Sequence, residues 1–201
     1  SGVARSPAVF FEDDIKGCEH AGLQAPPLVF DNSTDAFLIL RANQLGVSLS
    51  AIPLLWVLLH IVKSTSSTPG GALSDRIGRR PLIVGGWLLY ACVYAGFALA
   101  TQTWHAWVLF AVYGLVFGLS EGTEKALIAD LVPSANRGRA FGWYHAVVGI
   151  AALPASVAFG AVWDSYNASA AFFMGSALAV LASVLLIWQL RPWQANNNSA
   201  N

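Results

Sequence analysis

Four ionisable residues stand where an apolar chain has least use for them. Glu121, Glu124 and Lys125 interrupt a greasy stretch over residues 106–132, and Lys63 interrupts another over residues 47–73. A charge at the centre of a hydrocarbon layer costs about 2.5–3.5 kcal/mol on insertion scales, so such residues face a bundle interior or a wet cavity. At ~100° per residue, Glu121, Glu124 and Lys125 fall within one arc of a helix together with Gly114 and Gly118, while Asp130 points to the opposite side. His60, Lys63, Ser64 and Ser67 likewise share an arc. Two helices presenting complementary charges to one cavity make a site that binds a charged solute or exchanges a proton, because burial and neighbouring cations pull a carboxylate's proton affinity in opposite directions. A structural reading stands beside this one. Glu121 and Lys125 have the favourable i,i+4 order and can neutralise one another within their own helix; Lys63 can be a plain interhelical tether. His60 and His145 are single histidines on apolar helices, where a hydrogen bond to a neighbour suffices. Asp35, the remaining acidic candidate, and Arg41 flank the most irregular segment and do not share a helical face, and Arg41 is long enough to snorkel to the outer surface.

The elements that must carry these residues are membrane helices. Hydrophobic residues make up 56% of the chain and charged residues 11%, about half the charged share of a soluble domain. A helix needs about 20 mainly apolar residues to cross the hydrocarbon. Residues 82–100 and 168–190 hold no charge, 140–162 holds only His145, and 47–73 and 106–132 become spans once their polar residues are accepted. A sixth helix, shortened or damaged, is expected over 28–42, behind Pro26 and Pro27. Residues 1–27 read as a polar segment and 192–201 as a polar, disordered tail, leaving a six-helix bundle over 28–191. The start at Ser1, without a methionine, suggests a fragment.

Basic residues orient the bundle. Arg76, Arg79 and Arg80 follow the second segment, Arg137 and Arg139 the fourth, and Arg191 the last, whereas turns 101–105 and 164–167 hold no lysine or arginine. By the positive-inside rule the basic turns are cytoplasmic. Both ends then lie in the cytoplasm, which requires an even number of crossings. Trp104, Trp107 and Trp163 fall near the outer face and Trp143, Trp188 and Trp193 near the inner one, as an aromatic belt would place them.

The first basic turn has a pattern of its own: Gly71-Ala72-Leu73-Ser74-Asp75-Arg76-Ile77-Gly78-Arg79-Arg80, read as a short hairpin between two spans. Gly70 and Gly71 let the helix end turn sharply, Gly78 suits a positive φ, and Pro81 suits the first turn of the next helix. Asp75 can cap a helix N-terminus or pair with a basic neighbour, and the arginines offer planar forks to carboxylates. The pattern G-x-L-x-D-R-x-G-R-R resembles the signature loop of the major facilitator superfamily. Over about residues 31–190 the chain resembles the C-terminal half of a twelve-helix member, helices seven to twelve, with the N-terminal six-helix half absent. The resemblance implies an all-α polytopic bundle. It also implies a cytoplasmic latch made by the motif, with Asp130 as acidic partner of its arginines and with Arg137 and Gly138 opening the next helix. The alternative is that these charges only mark topology and anchor lipid headgroups.

The expected function is secondary transport of a small solute, with protons as the coupling ion, in the cytoplasmic membrane and with the lipid bilayer as solvent. A membrane interaction or accessory protein without transport activity is the competing reading. The pattern holds no nucleophile–base pair, no metal-ligand spacing and no phosphate loop; two cysteines make no disulfide framework, and nothing points to an enzyme, a cofactor or a nucleic-acid partner.

Overall fold

The computed structural model describes residues 35–198, with side chains through Trp188. Six helices follow one another: α1 (Asp35–Gln44), α2 (Ile52–Ile77), α3 (Arg79–Leu99), α4 (Thr103–Leu131), α5 (Arg137–Ser165, entered through a single 3-10 turn at Ser134–Asn136) and α6 (Ala168–Asn198). There is no strand among the described residues. α3, α4, α5 and α6 are each long and apolar enough to cross a membrane. α2 has the length but not the composition, since Lys63 and the run Ser64-Thr65-Ser66-Ser67-Thr68 dilute it. That is one span fewer than the five expected from hydropathy, and α2 takes its place in the bundle by packing.

α2 lies along α4, and α3 lies between α4 and α6. The α2–α4 contact is made by small residues. A Cβ on Gly114 would lie 2.5 Å from the Leu59 carbonyl oxygen, one on Gly118 would lie 2.9 Å from the Lys63 carbonyl oxygen, and one on Gly70 would lie 2.9 Å from the Gly118 carbonyl oxygen. The spacing of Gly114 and Gly118, four residues apart, is how membrane helices bring their backbones together when apolar burial cannot drive them. Around this seam, Tyr94, Tyr113, Phe97, Phe110 and Phe172 are fully buried. Their rings meet edge-on, as in Tyr94–Phe172 at 5.4 Å and Phe97–Phe110 at 5.7 Å, or stacked, as in Phe97–Phe172 at 5.4 Å, arrangements that aromatic quadrupoles favour over a face-to-face sandwich. α5 is the outlier. Ile150, Leu153 and Val157 are about three-quarters exposed, and only Phe159 on this helix is fully enclosed.

Several boundaries differ from the sequence expectation. The first helix was expected over 28–42; its described part begins at Asp35, and 28–34, like the polar segment 1–27, lies outside the described residues. α1 ends at Gln44, and Gly46, with a φ of 91°, turns the chain toward α2. The second span begins five residues later than expected, at Ile52 with Pro53 in its first turn, and runs on to Ile77. The basic hairpin is therefore no loop: Gly71, Asp75 and Arg76 belong to the last turns of α2, and Gly78 alone connects it to α3. Gly70 does not break the helix because it is there for the approach of α4, and the packing holds it helical. Gly78 has φ 91° and its N–H closes on the Ser74 carbonyl at 3.0 Å. Asp75 consequently cannot cap α3, which starts at Gly78 without a side-chain cap. At the other end of the chain, α6 stays helical to Asn198, past the expected boundary at 191. Trp107 and Trp163, partly buried, pack against the core cluster.

Candidate functional site

The ionisable residues of α2 and α4 meet. Lys63 forms an ion pair with Glu121 Oε2, and Lys125 donates to Glu121 Oε1 at 2.7 Å. Glu121 thus stands between two ammonium groups, one from the neighbouring helix and one from its own next turn. All three side chains are about a third or more exposed, so the triad opens to one side of the bundle. The glycine seam explains the reach: Gly118, one turn before Glu121, lets the backbone around Lys63 come close enough for the pair to form. The Lys63 ammonium also lies 5.0 Å from the centre of the Phe117 ring, close enough for a cation–π attraction. The tether and the intrahelical neutralisation weighed in the sequence therefore coexist around one carboxylate.

Glu124 goes elsewhere. It is half-buried and turns toward α3 and α5, where Trp87 Nε1 donates to its Oε1 at 2.9 Å and Tyr144 Oη donates to its Oε2 at 3.2 Å. An arc that looks like one face on paper spans ~100° of the helix, wide enough for its two edges to serve different neighbours. Asp35 sits in α1 and accepts a hydrogen bond from Tyr113 Oη at 3.1 Å. His60 is not drawn into the cluster. It is exposed, and its Nδ1 donates back to the Trp56 carbonyl at 3.0 Å within α2. His145 is exposed on α5.

A second constellation occupies the end of the bundle where α2 meets α3 and α4 meets α5. Arg79 Nε lies 2.8 Å from Asp130 Oδ2, joining the start of α3 to the end of α4. Arg137 Nε donates to the Ala129 carbonyl at 3.0 Å, using a cation to satisfy an acceptor near a helix C-terminus. Arg76 is exposed, and Arg80 is half-buried beside it in sequence. The opposite end is closed by Arg41. Its guanidinium donates to the carbonyls of Phe97, Ala98 and Ala100 at 3.0, 3.5 and 3.0 Å. These are the carbonyls that end α3, left without intrahelical partners.

A family model described as Major Facilitator Superfamily matches residues 29–201. The chain belongs to the major facilitator superfamily. It is accordingly a multi-pass membrane protein of a class that transports solutes rather than transforming them chemically. Among its relatives is an uncharacterized MFS-type transporter of Methanocaldococcus jannaschii, 35% identical over 163 residues that make up 78% of this chain and 41% of the relative. The multidrug resistance protein MdtH of Cronobacter sakazakii is 32% identical over 62% of this chain and 31% of its own length. MdtH of Yersinia pestis is 34% identical over 48% of this chain and 24% of its own. The chain thus spans less than half the length of each of these relatives.

Within the superfamily chain, the residues that sequence reasoning missed are Trp87, Tyr113 and Tyr144, the polar tips of aromatic side chains. A signal existed for Trp87, whose indole N–H stands in the charge-free stretch 82–100 and needs an acceptor when buried.

Proposed function

We propose that the chain is the C-terminal six-helix half, helices seven to twelve, of a proton-coupled secondary transporter of a small solute. The basic motif faces the cytoplasm, as do both ends of the bundle. The observation that carries the reading is the Lys63–Glu121–Lys125 triad, built across two membrane helices and open to one side. A purely structural pair has no need to stay accessible, whereas a solute or proton site does. In a transporter of this class the site lies near the bilayer midplane between two halves that rock against each other. Glu121 lies ten residues before the end of α4, about 15 Å along the axis, or half a bilayer core. Arg79–Asp130 and Arg137–Ala129 act as the cytoplasmic latch, holding α2–α3 and α4–α5 together at that end.

The missing partner is the N-terminal six-helix half, against which the open side of the triad and the exposed face of α5 would stand. The test uses the full-length transporter in proteoliposomes, with ethidium as probe because two relatives carry multidrug resistance in their names. A pH gradient is expected to drive ethidium movement in the wild type. The double variant Glu121→Gln/Glu124→Gln is expected to lose the dependence on the gradient. Gradient-driven movement that survives in the double variant defeats the proposed coupling. An accessory role predicts no movement in any variant.

A further inference from the structure

Two carboxylates one helical turn apart on α4 have opposite surroundings. Glu121 is gripped by two ammonium groups. Both oxygens of Glu124 are met by neutral donors, the Trp87 indole N–H from α3 and the Tyr144 hydroxyl from α5. To take a proton, Glu121 must give up two ion pairs, whereas Glu124 need only rearrange hydrogen bonds. A protonated Glu124 keeps a carbonyl oxygen as acceptor for Trp87, and its new O–H can donate to the Tyr144 oxygen, which retains its own proton. Glu124 lies seven residues from the end of α4, about 10 Å from the end that carries Arg79–Asp130, between Glu121 and that surface.

We propose that Glu124 is the carboxylate of α4 that takes up and releases the coupled proton, with Trp87 and Tyr144 as positioning residues that hold its ionised form. This assignment rests on the coupled-transport reading above and divides the labour within it: Glu121 stays ionised and keeps the two lysines in place, while Glu124 titrates. The charged groups that face Glu124 from its own helix are Glu121 and Lys125; α3 offers the Trp87 indole and α5 the Tyr144 phenol, and Lys63 of α2 is engaged with Glu121. Tyr144 also makes Glu124 a polar tie for α5, the helix least enclosed by the bundle, so the proton's arrival is felt directly at that helix.

The experiment is an infrared pH titration of the full-length transporter in lipid, reading the C=O stretch of protonated carboxyl groups. It needs no solute and so reports even if ethidium is not carried. Among the bands that appear as the pH falls, one is expected to be lost in Glu124→Gln and to persist in Glu121→Gln. Tyr144→Phe and Trp87→Phe keep the ring and remove one donor to the charged acceptor; each is expected to move the midpoint to higher pH by about one unit. A merely structural tyrosine or tryptophan would change the melting temperature and leave the midpoint in place. A set of titrating bands that loses no member in Glu124→Gln, or a midpoint of the Glu124 band unmoved in both Phe variants, overturns the assignment. Should Glu124→Gln alone leave gradient-driven ethidium movement intact while the double variant abolishes it, the assignment falls and the transport reading stands.

Discussion

Replacing Gly118 by alanine adds one methyl group where α2 and α4 touch backbone to backbone. The new Cβ would lie 2.9 Å from the Lys63 carbonyl oxygen and 3.0 Å from Ser66 Cβ, and would overlap Ser66 Oγ. The hydroxyl can rotate away at the expense of its 2.6 Å bond to the Val62 carbonyl, but a backbone carbonyl has no rotamer. Ordinary contact begins at 3.4 Å, so α2 must retreat by about 0.5 Å, and overpacking of this kind costs about 1–3 kcal/mol. The crowded carbonyl belongs to the residue whose ammonium reaches Glu121, so the retreat loosens the triad as well as the seam. The control is Gly122→Ala, four residues on, where a Cβ meets nothing within 4 Å and alanine is the better helix former by about 1 kcal/mol in water. In thermal unfolding of the detergent-solubilised protein, Gly118→Ala should lower Tm by several degrees and reduce transport, whereas Gly122→Ala should hold or raise Tm. If Gly118→Ala melts with or above Gly122→Ala, the seam is not as described and its role in placing Lys63 is wrong.

Lys63→Gln leaves Glu121 with Lys125 alone. Given the exposure of the pair, the stability loss should be about 1 kcal/mol or less, while the loss of transport should be at least tenfold, measured by solute uptake; adding Glu121→Gln should restore Tm but not transport. Arg79→Ala should behave like Asp130→Asn, with little change in Tm and a shift in how readily cysteines placed on the cytoplasmic side are labelled, and the double variant should add nothing further to the shift. Arg41→Ala removes a charged donor from three carbonyls at the end of α3, of which Ala98 keeps the Ser169 hydroxyl at 2.7 Å, a loss of about 1.5–3 kcal/mol for bonds from a charged group. It should show as a lower Tm and as protease cleavage near residues 44–50, where α1 joins α2.

The apolar stretches of α3 to α6 were legible because lipid demands long uninterrupted runs, and the structure places helices within a few residues of them. α2 was harder: its polar run argued against a span, and its glycines looked like a turn. Glycine is ambiguous in sequence because chain reversal and close helix contact both ask for a missing side chain, and only the opposing α4 backbone decides. The triad was readable since Lys63 and Glu121 are conspicuous in apolar surroundings and each needs an opposite charge. Glu124 was placed in the same arc because periodicity gives an angle, not a neighbour; what separates it from Glu121 is the presence of Trp87 and Tyr144 on helices distant in sequence. The partners of Arg41 were hidden for a related reason. A long cation near a helix end suits water or carbonyls equally well, and the carbonyls of Phe97, Ala98 and Ala100 come from 56 to 59 positions away.

The single-residue link at Gly78 bears on how motion can pass through this molecule. With one residue between them, the facing ends of α2 and α3 must move together, so a displacement of that end of the helix bearing Lys63 is handed to the start of the helix bearing Trp87. The two sides of α4 are thereby geared to one another from outside it, and lengthening that junction by a few flexible residues would disengage the gear while leaving each set of contacts intact.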